Sequence, residues 1–387
     1  MNTTQSKALN IDIRSYVMVA ALLAIWVLFA VMTHGSFLLT RNISNLTRQM
    51  SIVGILATGM VLVIISGNID LSVGSVLGAL GGVAAALHIW NHVNPTTTIF
   101  VVILLGILIG LIQGSIVAYL KVPAFIVTLG GLLIFRGVLL SVTKGVSIAP
   151  FVASYRYFGQ EYVPIRIGWL IGVITCFGLL AMRIRNRQSR KSYGFTTESI
   201  PLFIVKLLAQ WALVLGVVFL LNNYNGIPVP VAIMLFFVLI FTFIATKTTF
   251  GRSIYAMGGN VEATRYSGIN VRRNLTIVFM LNGFMAAIAG IVLSARLNAG
   301  TPTAGMNMEL DAIAAAVIGG ASMSGGSGRV SGAILGALFM ASIDNGMSMM
   351  NMEAYWQYIV KGLILVTAVW FDIYSAKMNR AKGAKEA

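Results

Sequence analysis

The stretch TIFVVILLGILIGLIQGSIVAY, residues 98–119, decides the fold. It has no acidic or basic side chain, and as a helix it extends about 33 Å, enough to cross a hydrocarbon core about 30 Å thick. No water in that core can satisfy backbone N–H and C=O groups, so a run of this kind crosses as an α-helix that bonds its own backbone. Similar apolar runs occupy residues 16–33, 50–66, 72–89, 124–141, 168–182, 201–221, 228–246, 275–294, 310–323, 330–343 and 355–371. The runs at 310 and 330 are short enough to be tilted, broken or re-entrant. The expected fold is therefore an all-α integral membrane protein, a polytopic bundle of about 10–12 transmembrane helices. Residues 1–387 are read as a single membrane domain with both termini cytoplasmic.

Composition agrees. Of 387 residues, 58% are hydrophobic and 10% are charged, against roughly 25% charged in soluble domains. The net charge of +16 lies in short runs between apolar segments, which reads as membrane topology and not as a nucleic-acid footprint. The clusters Arg183, Arg185, Arg187, Arg190, Lys191 and Lys377, Arg380, Lys382, Lys385 mark the cytoplasmic side. The single cysteine, Cys176, rules out an intramolecular disulfide or a thiolate metal cluster. Residues 15–35 exceed a typical signal-peptide apolar region and are read as a retained first helix.

Between the runs, Arg41 and Arg48 are expected in a short outer connection, residues 144–166 in a polar outer loop, and Asp344-Asn345-Gly346 in an outer turn. His34, His88 and His92 fall at outer ends without metal-ligand spacing, as solvated interface residues. Glycine ladders at Gly74, Gly78, Gly82; Gly106, Gly110, Gly114; and Gly328, Gly332, Gly336 permit close helix contact. Tight packing within one subunit is the plainer reading of them, and a gate or dimer seam the other.

No phosphate-cradling G-x-x-x-x-G-K-[ST] loop occurs, so no nucleotide or other cofactor is expected on this chain. The inner segment 247–274 is long and basic, with Lys247, Arg252, Arg265, Arg272 and Arg273. Within it, residues 262–267 form a short helix between glycine-rich ends, so Glu262, Ala263, Arg265 and Gly268 make a docking element. At membrane depth, Asp70, Arg136, Glu309, Asp311 and Asp344 are costly and therefore informative. Each also has a structural reading. Asp70 suits a helix cap, Glu309 and Asp311 a helix start, and Arg136, about 20 Å along a helix from Pro123, can snorkel.

The blocks IDLSVGS (69–75), PAFIVTLG (123–130), YAMGGN (255–260), SGINV (267–271) and ELDAIAA (309–315), in this order, resemble the membrane subunit of carbohydrate-uptake ABC importers, the ribose, galactose and xylose family. RNISNL (41–46), IDNGMSMM (343–350), YWQYIVKG (355–362) and an inserted pair of crossings around Arg183 resemble its xylose-importer permeases. The Glu262-Ala263…Gly268 pattern resembles that family's EAA loop, with Thr264 in place of an alanine.

The resemblance implies a permease of the bacterial inner membrane that translocates D-xylose or a related monosaccharide. It also implies a homodimer, an ABC ATPase subunit docked at a coupling loop within 247–274, and a periplasmic sugar-binding protein outside, with ATP hydrolysed on the partner. A neutral, hydrated sugar needs polar groups along its path. The path candidates are Asn68, Asp70, Gln113, Asn282, Glu309 and Asp311, with Asn298 a further uncharged one. The rival reading is a secondary sugar transporter driven by an ion gradient, with Asp70 or Asp311 as the ion site. Without clustered His or Cys or paired acids, a membrane-embedded enzyme is disfavoured.

Overall fold

Helices stand over all twelve apolar runs in a computed structural model that describes the backbone of residues 13–386 and the side chains of residues 18–374. In chain order they are α1 (Ile13–Met32), α2 (Thr40–Ile65), α3 (Val73–Ala85), α4 (Pro95–Tyr119), α5 (Ala124–Thr143), α6 (Ala153–Gln160), α7 (Ile165–Ser192), α8 (Ile200–Asn222), α9 (Val229–Lys247), α10 (Thr249–Gly259), α11 (Val261–Tyr266), α12 (Val271–Leu297), α13 (Met308–Ile318), α14 (Gly332–Met349) and α15 (Ala354–Glu386). Among the described residues, nine are long and apolar enough to cross a membrane: α2, α3 with its π-helical extension Ala86–Trp90, α4, α5, α7, α8, α9, α12 and α15. The terminal basic residues Lys377, Arg380, Lys382 and Lys385 lie beyond the described side chains, and the N-terminal residues 1–12 lie outside the described chain.

Burial sorts the helices. The most apolar windows of α2, α3 and α12 are 89%, 72% and 78% buried inside the subunit, whereas those of α5, α7 and α8 are each 17% buried. The first three form the centre, and the others turn most of their apolar surface outward, which suits a hydrocarbon solvent. The glycine ladders explain how the centre closes. A Cβ on Gly106 or Gly110 would meet the α12 backbone at Gly283 or Phe279, and one on Gly336 would meet the α13 backbone at Ala315. These contacts lie within one subunit. Gly328 departs from the expected ladder, since it sits in the loop before α14 with φ +155°.

Two connections re-enter the protein. Gly59 of α2 abuts Asn282 of α12, and Asn282, eleven residues into α12, lies about 16 Å from that helix's start. α2 continues to Ile65, yet Asp70 returns to bond Asn282, so residues 66–72 double back to the level of Gly59. On the opposite side, residues 298–307 descend along α3. Gly300 packs against Ala85, the Ala304 carbonyl against Gly78, and Gly305 and Glu309 against Gly74. α13 thus begins partway through the molecule, which accounts for its short apolar run. Irregular backbone is tolerated at such depth because protein surrounds it.

Several expectations about connections change. α2 starts at Thr40, so Arg41 and Arg48 lie in its first turns and not in a loop. Tertiary partners hold this polar extension. Asn42 Nδ2 donates to Asn345 Oδ1 at 2.8 Å, while Arg48 donates to the Gln160 carbonyl and lies 4.3 Å over the Tyr162 ring. Asp344-Asn345-Gly346 is interior to α14 and not a turn, because Asp344 pairs with Lys361 and Asn345 with Asn42. Residues 144–166 hold α6 and a strand Tyr162–Val163 paired antiparallel with Ile227–Pro228. His88 stacks on Phe151, with ring centroids 5.8 Å apart, and is partly buried. α7 carries Arg183 to Lys191 as helix, extending the crossing beyond Met182. Cys176 is buried, and its carbonyl accepts a hydrogen bond from Trp211 Nε1 at 3.0 Å.

Candidate functional site

The doubling-back of residues 66–72 delivers the IDLSVGS block to the centre of the bundle. Asp70 Oδ1 accepts from the Ser72 N–H at 2.8 Å and from Ser72 Oγ at 2.7 Å. Asp70 Oδ2 accepts from Asn282 Nδ2 on α12 at 2.8 Å. Ser72 Oγ in turn accepts from Gln113 Nε2 on α4 at 2.9 Å. Asp70, Ser72, Gln113 and Asn282 are 3%, 0%, 6% and 0% exposed, so this network joins three helices in a nearly water-free setting. Asp70 faces the start of α3 as a cap would, but it also reaches Asn282, more than 200 residues away, which a local cap does not require.

Glycine makes the site possible. A Cβ on Gly131 of α5 would meet Gln113 Nε2 and Ser72, so α5 approaches at a position where a larger residue would expel the network. A Cβ on Gly74 would collide with Glu309 Oε2 and the Gly305 carbonyl. The N-terminal turns of α3 and α13 are therefore in contact, each with a buried carboxylate at its start. Glu309 is 5% exposed, with Oε2 lacking a hydrogen-bond partner, and Asn282 Oδ1 and Ser75 Oγ also lack one.

The remaining candidates are dispersed. Asn68 bonds the Ser66 carbonyl at 3.1 Å, at the end of α2. Asn298 is the left-handed residue closing α12, and its Oδ1 accepts from the Phe151 N–H at 2.9 Å. Asp311 belongs to a second cluster, where Lys361 Nζ lies 2.9 Å from Asp311 Oδ2 and 2.8 Å from Asp344 Oδ2, tying α13, α14 and α15 together. Lys361 escaped the sequence reading because a single lysine near the start of an apolar run looks like an interface anchor. Ser72 escaped because a serine before a helix looks like a cap.

The basic loop is folded. Asn260 caps α11, accepting from the Ala263 N–H at 2.9 Å, and Arg265 pairs with Glu262 at 3.0 Å on an exposed surface. α11 runs Val261–Tyr266, one residue earlier than the 262–267 expected, and Gly268 follows it at φ +79°. The loop touches the centre through Gly258, where a Cβ would strike the Ile65 carbonyl and the Gly326 N–H. Gly326 N–H donates to that same carbonyl at 2.9 Å, and Tyr255 Oη donates to the Gly328 carbonyl at 2.8 Å. Ile65 is the last residue of α2, directly before the segment that carries Asp70.

A bundle of apolar helices with re-entrant connections, a buried polar junction and a folded basic loop is the arrangement of a membrane transporter. The chain belongs to the family described as branched-chain amino acid transport system / permease component, which matches residues 42–369. It is similar to the xylose transport system permease protein XylH of Escherichia coli (strain K12), with 50% identity over 366 residues covering 95% of this chain and 93% of that protein. The XylH of Haemophilus influenzae (strain Rd) is 47% identical over 371 residues, covering 96% and 99%. The ribose import permease protein RbsC of E. coli K12 is 36% identical over 354 residues, covering 91% and 92%. No solved structure matches the chain.

Proposed function

We propose that this protein is the membrane subunit of an ATP-driven importer that carries D-xylose across the inner membrane. The observation that carries the reading is 47–50% identity over nearly the whole chain to permeases named for xylose transport. The family match over residues 42–369 spans both re-entrant segments and the central polar junction. ATP binding and hydrolysis belong to a partner ATPase, and a periplasmic sugar-binding protein delivers the sugar. Two copies of the chain form the functional permease, and the chain itself holds no cofactor.

In this reading α10 and α11 receive the ATPase. Their displacement passes through Gly258 to the Ile65 carbonyl at the end of α2, and from there to residues 66–72. The Ser72, Gln113 and Asn282 side chains offer a sugar uncharged donors and acceptors. All three are buried here, so admission of a hydroxylated ligand requires α3, α5 and α13 to separate, exchanging protein hydrogen bonds for sugar hydrogen bonds.

The test is xylose uptake into vesicles that contain the permease, its ATPase and its binding protein, with internal ATP present or absent and ion gradients collapsed. Uptake that needs ATP and survives loss of the gradients supports the importer. Uptake that ignores ATP and dies with a gradient overturns it in favour of a secondary transporter.

A further inference from the structure

Helices α7 and α8 and the segment between them border an open cavity of about 650 Å³ where the apolar part of α7 gives way to arginines. Arg183, Arg187 and Arg190 line it, together with the apolar side chains of Leu179, Met182 and Phe203. Arg183 stands eighteen residues after Ile165, about 27 Å along α7, at the edge of a hydrocarbon core. The guanidinium groups are arranged and available. Arg183 Nε donates to Gln210 Oε1 at 2.7 Å, Arg187 lies 5.4 Å over the Phe203 ring, and none of the three arginines forms an ion pair among the described residues. The only carboxylate lining the cavity, Glu198, is taken by Lys206. That hydrogen bond, with the nearby charges of Arg183 and Arg190, holds the Glu198 carboxyl below the ordinary range. Glu198 thus stays ionised and paired, and the cavity is left strongly positive.

An adjoining cavity of about 330 Å³ shares Arg190 and is lined by Tyr193 and Phe195, exposed aromatic residues of the kind that settle at headgroup level. Below both cavities, the outward faces of α7 and α8 are apolar and largely unburied by this chain.

We propose that the α7–α8 cavity binds the phosphate headgroup of an anionic phospholipid, whose acyl chains lie along the exposed apolar faces of the two helices. Three guanidinium donors above a hydrocarbon surface match a phosphodiester attached to acyl chains, and they match neither a neutral sugar nor a nucleic acid. The proposal stands apart from the transport reading, since it concerns helices away from the polar junction.

Native mass spectrometry of the purified full chain, delipidated in detergent and then given cardiolipin or phosphatidylcholine, tests it. Cardiolipin should be retained in preference, with retention falling roughly fivefold for each arginine removed in the series R183Q, R187Q, R190Q. R272Q with R273Q, equal to a double cavity variant in charge lost but on another helix, should leave retention unchanged. E198Q, which frees Lys206, should raise it. Equal retention of both lipids, insensitivity to the cavity arginines, or unchanged retention in E198Q overturns the site. Displacement of cardiolipin by millimolar glycerol 3-phosphate also overturns it, by showing a site for soluble phosphate.

Discussion

Asp70 is buried at 3% exposure among donors that carry no charge: the Ser72 N–H and hydroxyl and the Asn282 amide. Asp70→Ala strands those donors in the dry centre. It should cost about 2–4 kcal/mol, read as a lower midpoint for thermal unfolding in detergent. Asn282→Leu should cost less, because it removes a partner whose Oδ1 is already unsatisfied. Two glycines make a sharper pair. Gly336→Ala drives a methyl into the α13 backbone at Ala315 and should destabilise by about 1–3 kcal/mol, whereas a Cβ on Gly137 meets nothing in this chain. Gly137→Ala should leave the isolated subunit as stable as before or up to about 1 kcal/mol more stable, from helix propensity alone. The cost of burying Asp70 and Glu309 was visible in the sequence, because charge at membrane depth stands out against an apolar background. Their proximity was not, since it depends on two non-helical segments running back beside α3. Asp344 was misread for a related reason: Asp-Asn-Gly is a turn signal, and contacts with Lys361 and Asn42 override it.

The last helix shows how an element with little packing of its own is held. Only 6% of the apolar window of α15 is buried, yet Lys361 in its second turn reaches Asp311 and Asp344, and Asp372, about three turns further on, accepts from the Met323 N–H at 3.0 Å and Ser322 Oγ at 3.1 Å. Lys361→Met leaves the buried Asp311 and the half-buried Asp344 without their cation and should cost about 3–5 kcal/mol. Adding Asp311→Asn and Asp344→Asn should recover most of that loss, and limited proteolysis near residues 350–354 would report whether α15 has detached. Helix positions along the chain were legible from length and apolarity alone. Their ends were less so: the polar start of α2 and the basic end of α7 continue as helix because partners elsewhere in the fold hold them. The short apolar run at 310 did forecast a broken element, and the missing half is the descending segment 298–307.

At the scale of the whole molecule, the basic loop meets the end of α2 at a tight contact, Gly258 against Ile65 and Gly326, just before the segment that carries Asp70. Gly258→Val would wedge that contact open without touching the polar network. If the contact transmits movement, uptake by the assembled importer should fall roughly two- to thirtyfold, as expected for 0.5–2 kcal/mol of lost coupling. Binding of the ATPase, measured by co-purification, should persist. Unchanged uptake would remove Gly258 from the route. The class of protein was readable from motif order, while this contact was not, because glycine spacing does not say which backbone will approach. Cys176 has a practical consequence of its own. The only thiol in the chain is shielded between α7 and α8, so the natural protein is already close to a blank background for thiol-reactive dyes. A membrane-impermeant maleimide added to intact spheroplasts should leave it unlabelled, mark Tyr157→Cys on α6, and miss Tyr266→Cys on α11 until the membrane is opened, which would fix the sidedness of every crossing between them.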